Sequence, residues 1–196
     1  MDEQQDLFTD AFARHEAVFK KTLESVLPDT ERAAEILLEA AKNGRRVFAC
    51  GNGGSAADSQ HFVAEWTCRY KDDREPLAAI ALTTDTSALT AIGNDYSFEE
   101  IFSRPLSALG NAGDVLVGFT TSGTSKNVLK AFATAKKKNM KTIAFTGEGG
   151  ISLQNIVDVA IIIPDRETAR IQEMHEIIYH AICEYVDAGL KNAALK

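Results

Sequence analysis

Apolar residues along this chain follow first one period and then another, and the change of period outlines the architecture. Between Asp6 and Leu27 the spacing is helical, with Leu7, Phe8, Ala11, Phe12, Val18, Phe19, Leu23, Val26 and Leu27 recurring every three or four residues. Pro28-Asp29-Thr30 breaks that run and can cap a second helix. This one runs through Ala33, Ala34, Ile36, Leu37 and Leu38 to Asn43-Gly44. Short apolar runs then take over at Val47–Cys50, Ala78–Leu82, Val115–Phe119, Thr142–Phe145 and Val159–Ile163. Helical stretches separate most of them, at Ser55–Tyr70, Ser97–Leu109 and Lys126–Asn139, and Thr168–Leu190 closes the chain.

Strands that are apolar throughout, alternating with helices, imply a parallel sheet covered on both faces. The pattern predicts an α/β fold, a three-layer α-β-α sandwich on a five-stranded parallel sheet, with residues 1–44 as an N-terminal helical extension. No linker, repeat or low-complexity segment interrupts it, and 196 residues fit one domain, 1–196. A helix with so much apolar surface ahead of a small α/β domain often packs on another subunit, so the extension is expected at an oligomer interface.

In such sheets ligands bind beyond the carboxyl ends of the strands. Two segments lie there. Gly51-Asn52-Gly53-Gly54-Ser55 ends the first strand and opens a helix, and Thr120-Thr121-Ser122-Gly123-Thr124-Ser125 does the same after the third. Each puts small residues, hydroxyls and backbone N–H groups at a helix N-terminus, where donors and helix dipole favour an anion. The first loop has neither the glycine spacing of a dinucleotide fingerprint nor the Lys of a Walker A loop. Alone, each loop also reads as a tight turn with a capping hydroxyl. Together they point to a phosphorylated ligand.

Composition narrows the partners. A net charge of -7 and a pI of about 5.1 argue against a general nucleic-acid binder, whose affinity rests on basic phosphate contacts. A phosphate can still be held by hydroxyls and amides. Cys50, Cys68 and Cys183 show no CxxC spacing, and their odd number argues against a disulfide framework. The acidic start Met1-Asp2-Glu3-Gln4-Gln5-Asp6 lacks the apolar core of a signal peptide, and no run is long enough to span a membrane. The expected location is the cytoplasm.

His61 and Glu65 are four residues apart on the helix that the first loop opens, so they share a face about one turn from the anion site. A solvated i,i+4 pair is the plainer reading of that spacing. The last helix carries Gln172, Glu173, His175, Glu176 and His180 among apolar positions that read as core. His180 sits among those apolar positions, where a histidine is more often a core residue than a ligand. Gln172 and His180 are eight residues apart, about 12 Å on a regular helix. They can meet on one metal only if Gln172 precedes the regular helix or a second subunit supplies one of them. Glu176 and His180, an i,i+4 pair, are the simpler alternative.

With these residues in view, the chain resembles the phosphoheptose isomerases of the sugar-isomerase (SIS) domain group over nearly its whole length. The matching stretches are Cys50–Ser55, His61-Phe62-Val63-Ala64-Glu65, Ala91-Ile92-Gly93-Asn94-Asp95, Thr121-Ser122-Gly123, and Ala169–His175 with His180. The resemblance implies conversion of sedoheptulose 7-phosphate to D-glycero-D-manno-heptose 7-phosphate, the first step toward nucleotide-activated heptose. It implies Glu65 as base and His180 as acid, and one zinc per subunit on His61, Glu65, Gln172 and His180. Ser55, Thr120, Thr121, Ser122 and Ser125 would hold the phosphate and nearby hydroxyls. Asn52, Gly53, Gly54, Asn94 and Asp95 would line the sugar, and Glu65 and Gln172 would touch substrate. It further implies a homotetramer with sites between subunits. Departures are Thr124 where Asn is commoner, Trp66 and Cys68 in place of Leu and Gly, and Ala169 where some members carry an Asp.

A ketose–aldose isomerisation moves a proton between two carbons through an enediol. It needs a base over carbon and a group that protonates or polarises oxygen. The other readings that the resemblance opens are a tetrameric adaptor for the replication initiator DnaA, whose known members lack the Glu and the second His, and a sensor that only binds a sugar phosphate.

Overall fold

The computed structural model describes residues 3–194; Met1, Asp2, Leu195 and Lys196 lie outside the described residues, and with them the start of the acidic segment and the ends of the 1–196 span. Two helices come first, α1 (Glu3–Ser25) and α2 (Leu27–Lys42). The chain bends at Val26, and Pro28 falls in the first turn of α2, where its missing N–H costs nothing. No side chain caps α2, so Pro28-Asp29-Thr30 acts as its first turn rather than as its cap.

Strands β1 (Val47–Gly51), β2 (Ala79–Ala81), β3 (Val115–Thr120), β4 (Lys141–Gly147) and β5 (Val159–Ile163) form one sheet in the order β2-β1-β3-β4-β5. All four pairings are parallel. Between them lie α3 (Gly54–Thr67), α4 (Thr86–Asp95), α5 (Ser103–Leu109) and α6 (Lys126–Lys137), and α7 (Thr168–Ala194) ends the described chain.

The strands β1, β3, β4 and β5 are buried on both faces, and the edge strand β2 partly so, because successive side chains feed two separate cores. Val47, Ala49, Val115, Val117, Ile143, Phe145, Val159 and Ile161 pack beneath α2, α3 and α7, with Leu37, Phe62, Trp66, Met174 and Tyr179. Phe48, Cys50, Leu116, Ala144 and Ala160 face α5 and α6, with Leu106, Val128, Ala131 and Phe132. Three layers result, as the apolar pattern predicts.

The connections depart from it in three places. Ser97–Leu109 is not one helix but a 3-10 turn at Phe98–Glu100 followed by α5. Pro105 explains the break, since it has no N–H to continue an earlier helix yet fits the first turn of a new one. The helix α4, capped by Asp85 accepting from the Ala88 amide, has no counterpart in the apolar pattern; it buries no residue fully, so its signal is weak. A second 3-10 segment, Glu148–Asn155, follows β4.

Candidate active site

The strand order reverses between β1 and β3, since β1 leads to β2 on one side while β3 leads to β4 and β5 on the other. Loops leaving neighbouring strands at such a point frame a crevice. The register aligns Gly51 with Phe119 and Thr120 with Thr146, so both small-residue loops emerge side by side.

Their backbones are built for close approach. A Cβ on Gly51 would collide with the Ser55 backbone, and Gly53 enters α3 at φ +57°, a region that disfavours side chains. The N-cap residues of α3 and α6 make no side-chain cap; in α3 the Ser55, Ala56 and Ala57 amides turn back on the Asn52 and Gly53 carbonyls, and in α6 the Val128 amide donates to Asn127 Oδ1 (3.0 Å). Within the second loop Thr120 Oγ1 donates to Ser125 Oγ (3.1 Å), and the Ser122 and Thr124 hydroxyls are 3.0 Å apart. The two loops are locked together by a reciprocal amide pair: Asn52 Nδ2 donates to Asn127 Oδ1 (2.9 Å) and Asn127 Nδ2 to Asn52 Oδ1 (2.8 Å). The Asn52 side chain is thus committed to holding the loops.

Helices α3 and α7 lie side by side and run the same way. Gln172 meets Gly54 and Ser55 at one level, and Tyr179 and His180 meet His61 about two turns on. At the far end Arg74 donates from Nε to Asp187 Oδ1 (2.6 Å) and from Nη2 to the Glu65 carbonyl (2.8 Å). The middle level holds the chemistry. His61 Nε2 is 3.1 Å from Glu65 Oε1 and 3.4 Å from His180 Nε2. On its other side, His61 Nδ1 is 2.8 Å from Tyr179 Oη and 3.6 Å from Glu176 Oε1. The rings of Tyr70 and His180 stack with centroids 5.5 Å apart.

This set fits zinc. Tetrahedral zinc with ligand bonds of about 2.0–2.2 Å places neighbouring ligand atoms roughly 3.3–3.5 Å apart. The His61–His180 and His61–Glu65 separations are close to that edge length. His61, Glu176 and His180 also offer ligand atoms within 4.8 Å of one another. Gln172 does not join them within one chain. Because α7 is continuous from Thr168, Gln172 lies inside the regular helix, about 12 Å along it from His180, and its carboxamide donates weakly to Ser55 Oγ (3.4 Å). The fourfold set His61, Glu65, Gln172, His180 is therefore not assembled by a single chain; Gln172 could join it only from a second subunit, whereas Glu176, the alternative on the same helix as His180, stands with His61 and His180 in one chain.

The SIS domain family matches residues 11–147. A phosphoheptose isomerase from Helicobacter pylori is 48% identical over 182 residues, covering 93% of this chain and 95% of the relative. One from Campylobacter jejuni is 54% identical over 158 residues, with 81% and 85% covered. The solved phosphoheptose isomerase from Neisseria gonorrhoeae superposes with a TM-score of 0.89 at 45% identity, covering 94% of this chain and 99% of that one. The chain belongs to the phosphoheptose isomerases of the SIS domain family.

In this SIS domain the electrostatics gather around the same histidine. Burial, then the charge of Glu176, pushes Asp58 up to about 6, and its buried Oδ2 has no hydrogen-bond partner. Burial and the neighbouring carboxylates raise the Tyr179 phenol, which stays protonated. Burial, then His61, lowers His180 below the ordinary histidine value. That favours the neutral ring at neutral pH.

Of the residues singled out in the sequence, Glu65, His61 and His180 meet, while Ser55, Gln172, Gly53 and Gly54 share the loop level. Thr120, Thr121, Ser122 and Ser125 form the facing loop. Asn94 and Asp95 end α4, exposed and bonded to each other (2.9 Å). Sequence reasoning missed Asp58, Asn127 and Tyr179, and left Glu176 as an alternative. Asp58 carried a signal, lying three and seven residues before His61 and Glu65 on one helix face. Tyr179 carried none, because its contact spans 118 residues.

Proposed function

We propose that this chain is a phosphosugar isomerase that converts sedoheptulose 7-phosphate to D-glycero-D-manno-heptose 7-phosphate through an enediol. The observation that carries the reading is the meeting of Glu65 and His180 on His61, two helical turns along α3 from the start of that helix at the small-residue loops. The phosphate would sit on the Ser55 loop and on Thr120, Thr121, Ser122 and Ser125, held by amides and hydroxyls. Asn94 and Asp95 would line the sugar. The reacting carbons would then lie against Glu65, which takes the proton from one carbon and returns it to the next, while His180 serves the oxygens as acid.

Zinc, one per subunit, would be held by His61, Glu65 and His180, with Gln172 from a neighbouring copy, and when bound would polarise the sugar oxygens. A carboxylate bound to zinc is a weaker base, so Glu65 would alternate between the two roles. A homotetramer would supply that neighbouring copy through the helical extension, residues 1–44, of a single domain. Cys50, Cys68 and Cys183 are all free, which suits the reducing cytoplasm.

Incubation with sedoheptulose 7-phosphate and detection of the aldose product tests the reading. Turnover is expected. Tight binding without turnover would mark a sensor, and no binding with capture of DnaA would mark an adaptor. Glu65 and His180, which the adaptors lack, argue against the last.

A further inference from the structure

His61 has two ring nitrogens and a different set of partners at each. Nε2 faces Glu65 Oε1 at 3.1 Å and His180 Nε2 at 3.4 Å, and Nδ1 faces Tyr179 Oη at 2.8 Å and Glu176 Oε1 at 3.6 Å. The ring is 43% exposed, and the torsion that turns a histidine ring has broad minima, so packing alone does not fix it. Tyr179 is fixed. It is fully buried, with its ring edge-on to Phe62 and Phe119. It also precedes His180 on α7, so one helix turn carries both His180 and the anchor of His61.

We propose that Tyr179 is a positioning residue for His61. Its hydroxyl, assisted by Glu176, holds Nδ1 and so turns Nε2 toward Glu65 and His180. The inference rests on the zinc reading above, since a histidine that ligates through Nε2 presents Nδ1–H to an outer acceptor, and that partner sets ring orientation and ligand strength. A hydroxyl both donates and accepts, so the contact also holds when the ring proton sits on Nε2. Glu176 completes the clamp from the solvent side. It thereby acts on the far side of the ring from Glu65, which explains how the chain places two carboxylates on one histidine.

Tyr179→Phe removes one oxygen and keeps the buried ring. Two measurements on the full-length protein separate the possibilities: zinc affinity by competition with a chelator, and nitrogen NMR of the His61 ring in metal-free protein. The parent is expected to bind zinc and to show two distinct ring-nitrogen shifts, one fixed tautomer. The variant is expected to bind zinc at least about tenfold more weakly and to show averaged shifts, with helix content and oligomer size unchanged. Parent-like zinc affinity together with distinct shifts in the variant would overturn the role of Tyr179 and leave the zinc reading standing. A parent that takes up no zinc would end the zinc reading, and the ring shifts alone would then decide for Tyr179. Should the Phe variant not fold, averaged shifts in the parent itself would overturn the inference, and distinct ones would support it.

Discussion

At the scale of single residues, the site divides into groups that act and groups that hold. Glu65 is 18% exposed and 3.1 Å from His61, which suits a base that must meet substrate yet be shielded from water. Glu65→Gln should lower turnover by about 10²–10⁴-fold while substrate binding persists, as steady-state kinetics and a binding titration would register. Activity within a few-fold of the parent would refute the assignment. His175 belongs to the holding groups. It is fully buried against Phe119 and Phe145, and burial lowers it from 6.5 to about 4. Above pH 6.5 it is neutral whether folded or unfolded. Between 6.5 and about 4 the unfolded chain takes up a proton that the folded chain refuses, so stability falls as pH falls, by up to about 3 kcal/mol. Asp58 opposes this in part. Its folded carboxyl keeps the proton up to about 6, against an ordinary value of 3.8, and being half-buried its share is screened. Urea unfolding at about pH 7.5 and about pH 4.5, on either side of that window, should show a smaller loss for His175→Gln than for the parent. Equal losses would remove His175 from the account. The place of His180 beside His61 came only from the family resemblance, while the contact of His61 with Glu65 was legible from their spacing on one helix. The holding residues were not, because Tyr179, Asn127 and Asp187 acquire their roles from partners on distant elements.

At the scale of elements, two loops and two parallel helices define the crevice. The loops are kept in place by glycines and by the Asn52–Asn127 pair. A Cβ on Gly123, which sits at φ +71°, would collide with Gly150, so the second loop is packed against the 3-10 segment after β4. No Lys or Arg lies in that loop before Lys126, so phosphate binding should depend on neutral donors. Removing the Ser122 hydroxyl in Ser122→Ala should weaken binding of the phosphorylated sugar by about 1.5–3 kcal/mol, the range for hydrogen bonds to charged groups. An unphosphorylated sugar should bind poorly to both proteins and show little difference. An unchanged Michaelis constant and turnover would move the phosphate to the Asn52–Ser55 loop. The strands were all legible, since each is a short apolar run, and only their ends shifted by a residue or two. The helix α4 was not; it is short and packs Leu89 and Ile92 without burying them fully. Pro105 was visible, but not as the break it makes between the 3-10 turn and α5.

At the scale of the whole molecule, the structure leaves an apolar face that a lone chain does not cover. Along α1, Phe8 is 71% and Phe12 77% exposed, one turn apart, with Leu7 and Leu23 also open. The same helix is tied to α7 and to the residue just before it: Arg14 donates to Glu167, His15 meets Glu173 at 2.8 Å, and Arg170 Nη1 donates to the Ala11 carbonyl. One side of α1 thus grips the helix that carries Gln172 and His180, and the other side presents Phe8 and Phe12 outward. Exposed aromatic surface of this kind is what a subunit interface would cover. The apolar excess was readable in the sequence; the direction it faces, and the polar contacts behind it, were not, since those contacts join residues 153 and 158 positions apart. A tetramer that buries this face predicts a linked loss. Each Phe that leaves water contributes about 1.5–3 kcal/mol per site, and a carboxylate in its place adds a desolvation cost. Phe12→Asp should therefore shift sedimentation toward smaller species without lowering the helix content of the subunit. If Gln172 of one subunit completes the site of another, specific activity and zinc content should fall with assembly and recover as protein concentration rises. A parent that sediments as a monomer, or a dissociated Phe12→Asp protein with full activity and full zinc, would show that each chain builds its site alone, with Glu176 then the nearest remaining ligand.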